Sequence, residues 1–433
     1  MNARPTTLKG RNALFISYNG MLDPLGQSQV IPYLSVLTES AGLRFTLLSF
    51  ERAAAYTPEG QARVREVERD LEERGIEWHR LRYHQRPSLP ATFYDVAAAV
   101  RYAGRLIKRN RIEVVHGRGP IMATIGLPLK RRFGVKLIFD VRGLLADEYV
   151  DAGHWRAGSV NYRLTKAMER RCLAASDGVV TLTERIWPII KEWEGLRGRS
   201  VAHEVIPCCV DLERFSFDAA AREARRAELG LQGRFVVVYS GSVGGWYLTE
   251  EMADFFAALS RVRADAHFLW LTPSAHDVVR NILRERGIRE GQYTLLAARP
   301  ADVASYLSAA DAGLAFIKPC FSKLASSPTK NAEYLACGLP LIINAGIGDS
   351  DALVREEGVG ALVNEFTAQE YERAAGDVAR LLEDAESLRR RTREVAQRLF
   401  DVQGVGLERY TRLYEEVCLR DGAHLPSTNG GEV

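Results

Sequence analysis

The sequence predicts an α/β protein: two doubly wound, Rossmann-like parallel-sheet domains facing each other across a cleft. Three observations lead there. Short apolar runs of strand length alternate with amphipathic stretches at helical spacing. The runs fall into two sets, divided by a linker-like segment over 206–215. A chain of 433 residues with 46% hydrophobic content can fill two or three cores.

The first set of predicted strands is 13–17, 45–50, 76–81, 113–116, 136–140 and 178–182. The second is 235–240, 267–271, 293–296, 312–316 and 341–344. Helical patterns lie between them, for example 250–263 and 301–310. Strands separated by helices imply parallel pairing through right-handed crossovers. We expect a first domain over 1–205 and a second over 206–400. Helical stretches over 368–398 and 405–418 close the chain, and a helix over 401–421 is expected to cross back to the first domain. Residues 422–433 read as a disordered tail.

Composition excludes several classes. Lys and Arg number 58 against 55 Asp and Glu, a net charge of +3, and 26% of residues are charged. These values fit neither a disordered nor a collagen-like chain, and they argue against bulk nucleic-acid binding. The six cysteines show no C-x-x-C pattern and no His at metal spacing, so reduced thiols in a cytoplasmic protein are expected, with no metal. Residues 1–12 are polar and basic, and the apolar run that follows, 13–17, is far too short for a signal-peptide core, so no signal peptide is expected. No apolar run approaches the ~20 residues of a membrane span. Residues 101–136 hold ten basic side chains against one acid, Glu113. This cluster reads either as a solvated helix face and loop or as a patch for anionic lipid headgroups.

The segment 326–340 carries the most chemistry. Ser327 suits the N-cap, with its hydroxyl accepting from the Lys330 backbone, and Pro328 suits the first helical position. Gly338 fits the left-handed position after the helix, and Pro340 stops it. Ala332, Leu335 and Ala336 are the expected packing face. The helix N-terminus and Lys330 form a candidate anion site. Glu333 lies on the same face and can accept two ribose hydroxyls. The same residues also read as a surface Lys–Glu pair beside a buried helix.

Four loops follow strands at the predicted ligand edge. Gly241, Ser242 and Gly244 sit in a glycine-rich loop that permits close phosphate approach, or simply makes a tight turn. That loop has no basic residue between Ser240 and Ser260. Gly26 and Gln27 are expected at a helix entrance after the first strand, with amides toward the cleft. His116 could bond a ligand hydroxyl or be a satisfied structural histidine. Arg118 offers a fork for phosphate. Arg142 and Glu148 follow the next strand, where each could meet a ligand or belong to an ion pair that fixes its loop.

The segment Glu333-Tyr334-Leu335-Ala336-Cys337-Gly338-Leu339-Pro340 resembles the nucleotide-binding helix of the family 4-like (group 1) glycosyltransferases of the GT-B fold. It matches the second half of their paired-glutamate motif; Ala325 stands at the first glutamate's place. Ser327, Lys330 and Glu333 follow a Ser-x-x-Lys-x-x-Glu variant, and 206–215 resembles the family's interdomain segment. The resemblance implies a retaining, metal-independent transferase that uses a nucleotide diphosphate sugar as co-substrate and no other cofactor. It implies a donor site of Gly26, Gln27, Arg118, Gly241, Ser242, Gly244, Ser327, Thr329, Lys330 and Glu333. Lys330, Arg142 and His116 would be catalytic, and His116 and Glu148 would face the acceptor. The acceptor would be a glycan, a lipid-linked molecule or a small molecule, commonly in bacterial polysaccharide or glycoconjugate synthesis. The enzyme would be cytoplasmic, with a peripheral place at the membrane if the basic cluster docks there. Two alternatives stand beside this reading: a nucleotide-sugar epimerase on the same fold, and a non-catalytic scaffold of polysaccharide assembly.

Overall fold

A computed structural model describes residues 7–84, 88–273 and 275–419. The expected tail over 422–433 lies outside the described residues. The first half runs β1 (Asn12–Ser17), α1 (Pro24–Gln29), α2 (Ile31–Ala41), β2 (Arg44–Glu51), α3 (Pro58–Glu73), β3 (Glu77–Arg82), α4 (Ser88–Asn110) and β4 (Val114–Arg118). It continues with α5 (Pro120–Phe133), β5 (Lys136–Val141), α6 (Leu145–Asp151), α7 (Val160–Ala175), β6 (Gly178–Thr181), α8 (Trp187–Lys191) and β7 (Ala202–Val205). The second half runs α9 (Ala219–Leu229), β8 (Phe235–Ser240), α10 (Thr249–Val262), β9 (Ala266–Leu271), α11 (His276–Glu285), β10 (Tyr293–Leu296), α12 (Val303–Ala309) and β11 (Ala312–Ala315). It closes with α13 (Thr329–Ala336), β12 (Leu341–Asn344), α14 (Ser350–Arg355), β13 (Gly360–Val363), α15 (Ala368–Leu381), α16 (Ala385–Phe400) and α17 (Leu407–Leu419).

Seven strands form one parallel sheet in the order β3-β2-β1-β4-β5-β6-β7, and six form another in the order β10-β9-β8-β11-β12-β13. The doubly wound architecture is therefore present twice. Both sheets are covered on two faces, which is why central strands such as β8 and β9 are near-continuous apolar runs. In the first domain, α2, α3 and α17 bury one face, and α4 and α5 bury the other. In the second, α13 and α16 cover one face while α10, α11 and α15 cover the other.

The sequence reading missed β7 and β13. Both are four-residue edge strands. β7 interrupts its apolar residues with His203 and Glu204, and β13 opens on Gly360, so neither has the signal of a buried strand. Short edges of this kind limit pairing with other chains. The helical stretch over 368–398 is two helices, broken by a 3-10 turn at Leu382–Asp384, where the Asp384 side chain accepts from the Ser387 amide and starts α16.

The chain crosses between the sheets twice, and the crossings lie side by side. The Val210 amide donates to the Phe400 carbonyl at 2.7 Å, and the Val402 amide donates to Val210 at 3.1 Å. α17 then lies on the first sheet, burying Tyr410, Leu413, Tyr414 and Val417 in its core.

Candidate active site

In each sheet the strand order reverses once, between β1 and β4 and between β8 and β11. Ligands of open parallel sheets bind at the carboxyl ends of the strands at such reversals. The segment after β5 meets the one after β11 across the seam between the domains: Lys318 donates to the Asp151 carbonyl at 2.7 Å and the Ser322 amide to the Asp151 carboxylate at 2.9 Å.

α13 follows from its local sequence, with one correction. Pro328 is extended (φ −67°, ψ 120°), so the helix begins only at Thr329 and Pro328 occupies the cap. Ser327 therefore does not cap it. Its hydroxyl accepts from the Cys208 amide at 3.1 Å and ties α13 to the interdomain linker. Ala332, Leu335 and Ala336 are buried, and Gly338 takes the left-handed conformation (φ +79°) that ends the helix. Thr329 opens the first turn and is half-buried.

Lys330 is buried, and its ammonium lies 3.8 Å from the centre of the Tyr247 ring and 5.6 Å from that of Tyr239. A Cβ on Gly241 would stand 2.7 Å from the Lys330 Nζ, so the glycine is what admits the lysine to the loop. Among the described residues no carboxylate lies within ion-pair distance of this ammonium. Glu333, one turn on, lines a cavity of about 190 Å³ with Gln27 and Gln29 from the first domain and Asp211 and Arg214 from the linker. Burial pushes its carboxyl up to about 7, against the opposing pull of Lys330 and Arg214.

The glycine loop is more self-contained than expected. The Gly241 amide donates to Leu271 and the Gly244 amide to the Thr249 hydroxyl, so neither is free for phosphate. The Ser242 carbonyl accepts from the Tyr239 hydroxyl at 2.6 Å, and Ser242 itself is exposed. Positive charge reaches the loop from elsewhere in the second domain. Besides Lys330, the Lys323 ammonium lies 3.8 Å from the centre of the Trp246 ring. Lys323 was not singled out in the sequence; its signal is its place after β11, at the ligand edge. It donates across the seam to Glu148 at 3.0 Å, so Glu148 sits at the cleft and spends one oxygen on an interdomain ion pair. Ala325 is buried and packs with the first-domain cluster of Phe139 and Leu144.

The first-domain residues divide. α1 starts at Pro24, earlier than expected, so the Gln27 amide is already bonded to the Asp23 carbonyl and does not point into the cleft. Gly26 is buried against the Gly20–Met21 backbone, where a side chain would not fit. The Gln27 side chain donates to the Met21 carbonyl at 2.6 Å.

His116 is the clearest correction. It has no solvent exposure, and its Nδ1 bonds the Tyr414 hydroxyl at 2.8 Å. Phe15, Tyr410 and Tyr414 enclose the ring. Burial lowers its pKa and keeps it neutral. It cannot touch donor or acceptor, so the structural-histidine reading holds. Beside it, Arg142 donates to Asp140 at 2.8 Å and to the Tyr410 hydroxyl at 3.1 Å. Burial would raise the Asp140 pKa, but Arg142, the His116 ring 3.6 Å away and the charge of Arg118 hold it at about 2. Arg118 donates to Asn19 at 3.0 Å. Burial and the neighbouring Arg142 lower its pKa to about 10. Two arginines face one carboxylate here, and Arg118 Nε and Arg142 Nη1 are buried without a partner among the described residues. Cys208 adjoins both guanidiniums and, through its amide, Ser327. The arginine cluster thus abuts the start of α13.

The chain also contains an Asp-x-Asp run, Asp349-Ser350-Asp351, which the sequence reading passed over. Asp349 accepts the Glu184 and Arg185 amides across the seam, and Asp351 accepts from the Gly346 amide and faces Arg185 at 3.8 Å. The pair is spent on holding the domains together. Among the described residues no helix is long and apolar enough to cross a membrane.

Residues 26–209 match the family model described as glycosyl transferase 4-like domain. No curated protein matches the chain in sequence. Solved structures match over nearly the whole length. Sucrose-phosphate synthase from Thermosynechococcus elongatus aligns with TM-score 0.71 at 18% identity, covering 94% of this chain and 99% of its own. HepE from Anabaena, in complex with UDP and glucose, aligns at 0.68 and 16%, covering 93% and 99%. WaaG, a glycosyltransferase involved in lipopolysaccharide biosynthesis, aligns at 0.64 and 14%, covering 92% and 98%. The two sheets, their strand orders and these matches agree: residues 26–209 are similar to a glycosyl transferase 4-like domain, and the whole chain has the GT-B fold.

Proposed function

We propose that the protein transfers a sugar from a nucleotide diphosphate sugar to an acceptor hydroxyl. The observation that carries this reading is the placement of α13. Lys330 meets the glycine loop without an anionic partner among the described residues, and Glu333 opens on a cavity shared with the first domain. A ribose on Glu333 puts the diphosphate toward Lys330 and the α13 N-terminus. The relative HepE was crystallised with UDP-glucose, a donor of this class.

The departing nucleoside diphosphate gains negative charge as the glycosidic bond breaks. Fixed donors in a water-poor cleft stabilise that charge by several kcal/mol. Lys330, the first amides of α13 and the surplus positive charge of Arg118 and Arg142 supply it, so the proposal needs no metal. No side chain is assigned as a covalent nucleophile, in keeping with same-face attack and retention. His116 is buried beside the Asp140–Arg142 pair, 3.6 Å from Asp140, and is given no role on substrate. Glu148 lies where an acceptor would enter and would exchange its bond to Lys323 for one to the acceptor.

The test is a panel of nucleotide sugars, each incubated with the protein and a mixture of candidate acceptors, with nucleoside diphosphate release as the readout. Release with at least one donor, lost in Lys330→Ala and Glu333→Ala while both remain folded, supports the proposal. Turnover unchanged in both variants refutes the site. Conversion of a donor without release would indicate epimerisation.

A further inference from the structure

The basic cluster over 101–136 separates into parts once folded. Arg118 turns inward to Asn19, Lys130 pairs with Asp177 at 2.6 Å, and Arg109 pairs with Glu77. Arg101, Arg105, Lys108, Arg131 and Arg132 remain exposed, and none has a carboxylate partner among the described residues. Three of them follow one another at helical spacing along the outer face of α4, whose inner face (Ala99, Ala103, Leu106 and Ile107) is buried against the first sheet. The other two end α5 beside them: Phe133 lies between Lys108 and Arg132, at 5.9 and 5.6 Å.

The opposite end of the same α4 face is apolar. Phe93 is 74% exposed and Tyr94 63%. The only acid on α4, Asp95, is buried and holds His84. α4 follows β3, so its first turns stand at the carboxyl edge of the sheet, the edge that carries the cleft. One helix face thus presents two aromatic side chains near the cleft rim and a row of cations behind them, with no exposed acid. That is the composition of a helix lying in a bilayer interface, aromatic rings among the acyl chains and cations among anionic headgroups.

We infer that the outer face of α4, with the end of α5, docks on an anionic lipid bilayer and sets the cleft rim against the membrane. The inference stands on charge and exposure alone, and its failure would leave the transferase reading intact.

The test is sedimentation of the purified full chain with vesicles of phosphatidylcholine alone or with about one-third phosphatidylglycerol, at about 50 mM and about 500 mM salt. The protein should pellet with the anionic vesicles at low salt, and high salt should release most of it. Each basic residue near the surface contributes about fivefold in affinity, so Arg101→Glu/Arg105→Glu/Lys108→Glu should weaken binding at least about 100-fold. Phe93→Ser/Tyr94→Ser should weaken it without changing its salt dependence. Both variants alter exposed side chains, and unchanged melting curves would confirm that they fold. No pelleting at low salt, equal pelleting with neutral vesicles, or full binding by the triple variant would overturn the inference.

Discussion

The Lys330 ammonium stands 3.8 Å from the centre of the Tyr247 ring, on the edge of a glycine loop that has no cation of its own. A buried lysine facing an aromatic ring and no carboxylate is held by weak attraction, about 1–2 kcal/mol for a desolvated pair. An anion arriving at the loop would bind it more strongly. Lys330→Ala should therefore cost little stability, about 1–2 kcal/mol in chemical denaturation, while lowering nucleoside diphosphate release by about 100-fold or more. Lys330→Arg should restore only part of the rate, because the larger guanidinium meets Gly241 and Tyr247 differently.

Glu333 makes donor binding pH-dependent. Its carboxyl titrates at about 7 in the empty site because burial disfavours the charged form. Ribose binding uses the carboxylate, so donor affinity should fall as pH drops below about 7. The sign for stability is opposite. The folded state binds this proton more tightly than the unfolded chain, so Glu333 removes stability as pH rises from the ordinary glutamate range to about 7. Glu333→Gln should then melt higher than wild type above pH 7, by about 1–2 kcal/mol, with the gain vanishing below about pH 4.5. The same variant should bind donor weakly at every pH.

Tyr410 links the final helix to the buried charges of the first domain. Its hydroxyl meets Asp140 at 3.2 Å and Arg142 at 3.1 Å. Tyr410→Phe keeps the ring and removes both bonds, leaving a buried guanidinium nitrogen and a carboxylate oxygen less satisfied. It should cost about 1–3 kcal/mol by urea denaturation. Asp140→Asn leaves two arginines without their counter-charge and should cost more, about 3–5 kcal/mol.

Lys323 and Glu148 join the domains at the cleft. The lysine is buried and the carboxylate partly exposed, so the pair should be worth more than a surface bridge. A double-mutant cycle with Lys323→Met and Glu148→Gln should give a coupling of about 1–2 kcal/mol. Glu148→Gln should also raise the KM for acceptor more than that for donor, since it lies on the first-domain side of the seam.

The strands were legible because the parallel sheets are covered on both faces. Runs such as Phe235–Ser240 must be apolar throughout, and their edges show in sequence. β7 and β13 were not legible, because an edge strand of four residues needs no such run. The three-residue step from Lys330 to Glu333 was legible as one helix face, since that relation is local. The fate of His116 was not. Whether a ring at the end of a strand faces the cleft or the core depends on what covers it, and here the cover is Tyr414, 298 residues away on a helix that returns to the first domain. The glycine-loop amides misled for a related reason: their partners, Leu271 and Thr249, are supplied by a neighbouring strand and the next helix. Lys323 went unnoticed because nothing local distinguishes it. Its meaning comes from Trp246 and Glu148, which the fold brings to it.

The central claim is that α13 grips a nucleoside diphosphate through Lys330 and Glu333. Calorimetric titration of the wild-type chain with a set of nucleoside diphosphates tests it most directly. At least one should bind with micromolar affinity at pH 8, at least about tenfold more weakly to Lys330→Ala and to Glu333→Gln. Binding of equal strength to both variants, or no binding of any nucleoside diphosphate to the folded wild-type protein, would contradict it.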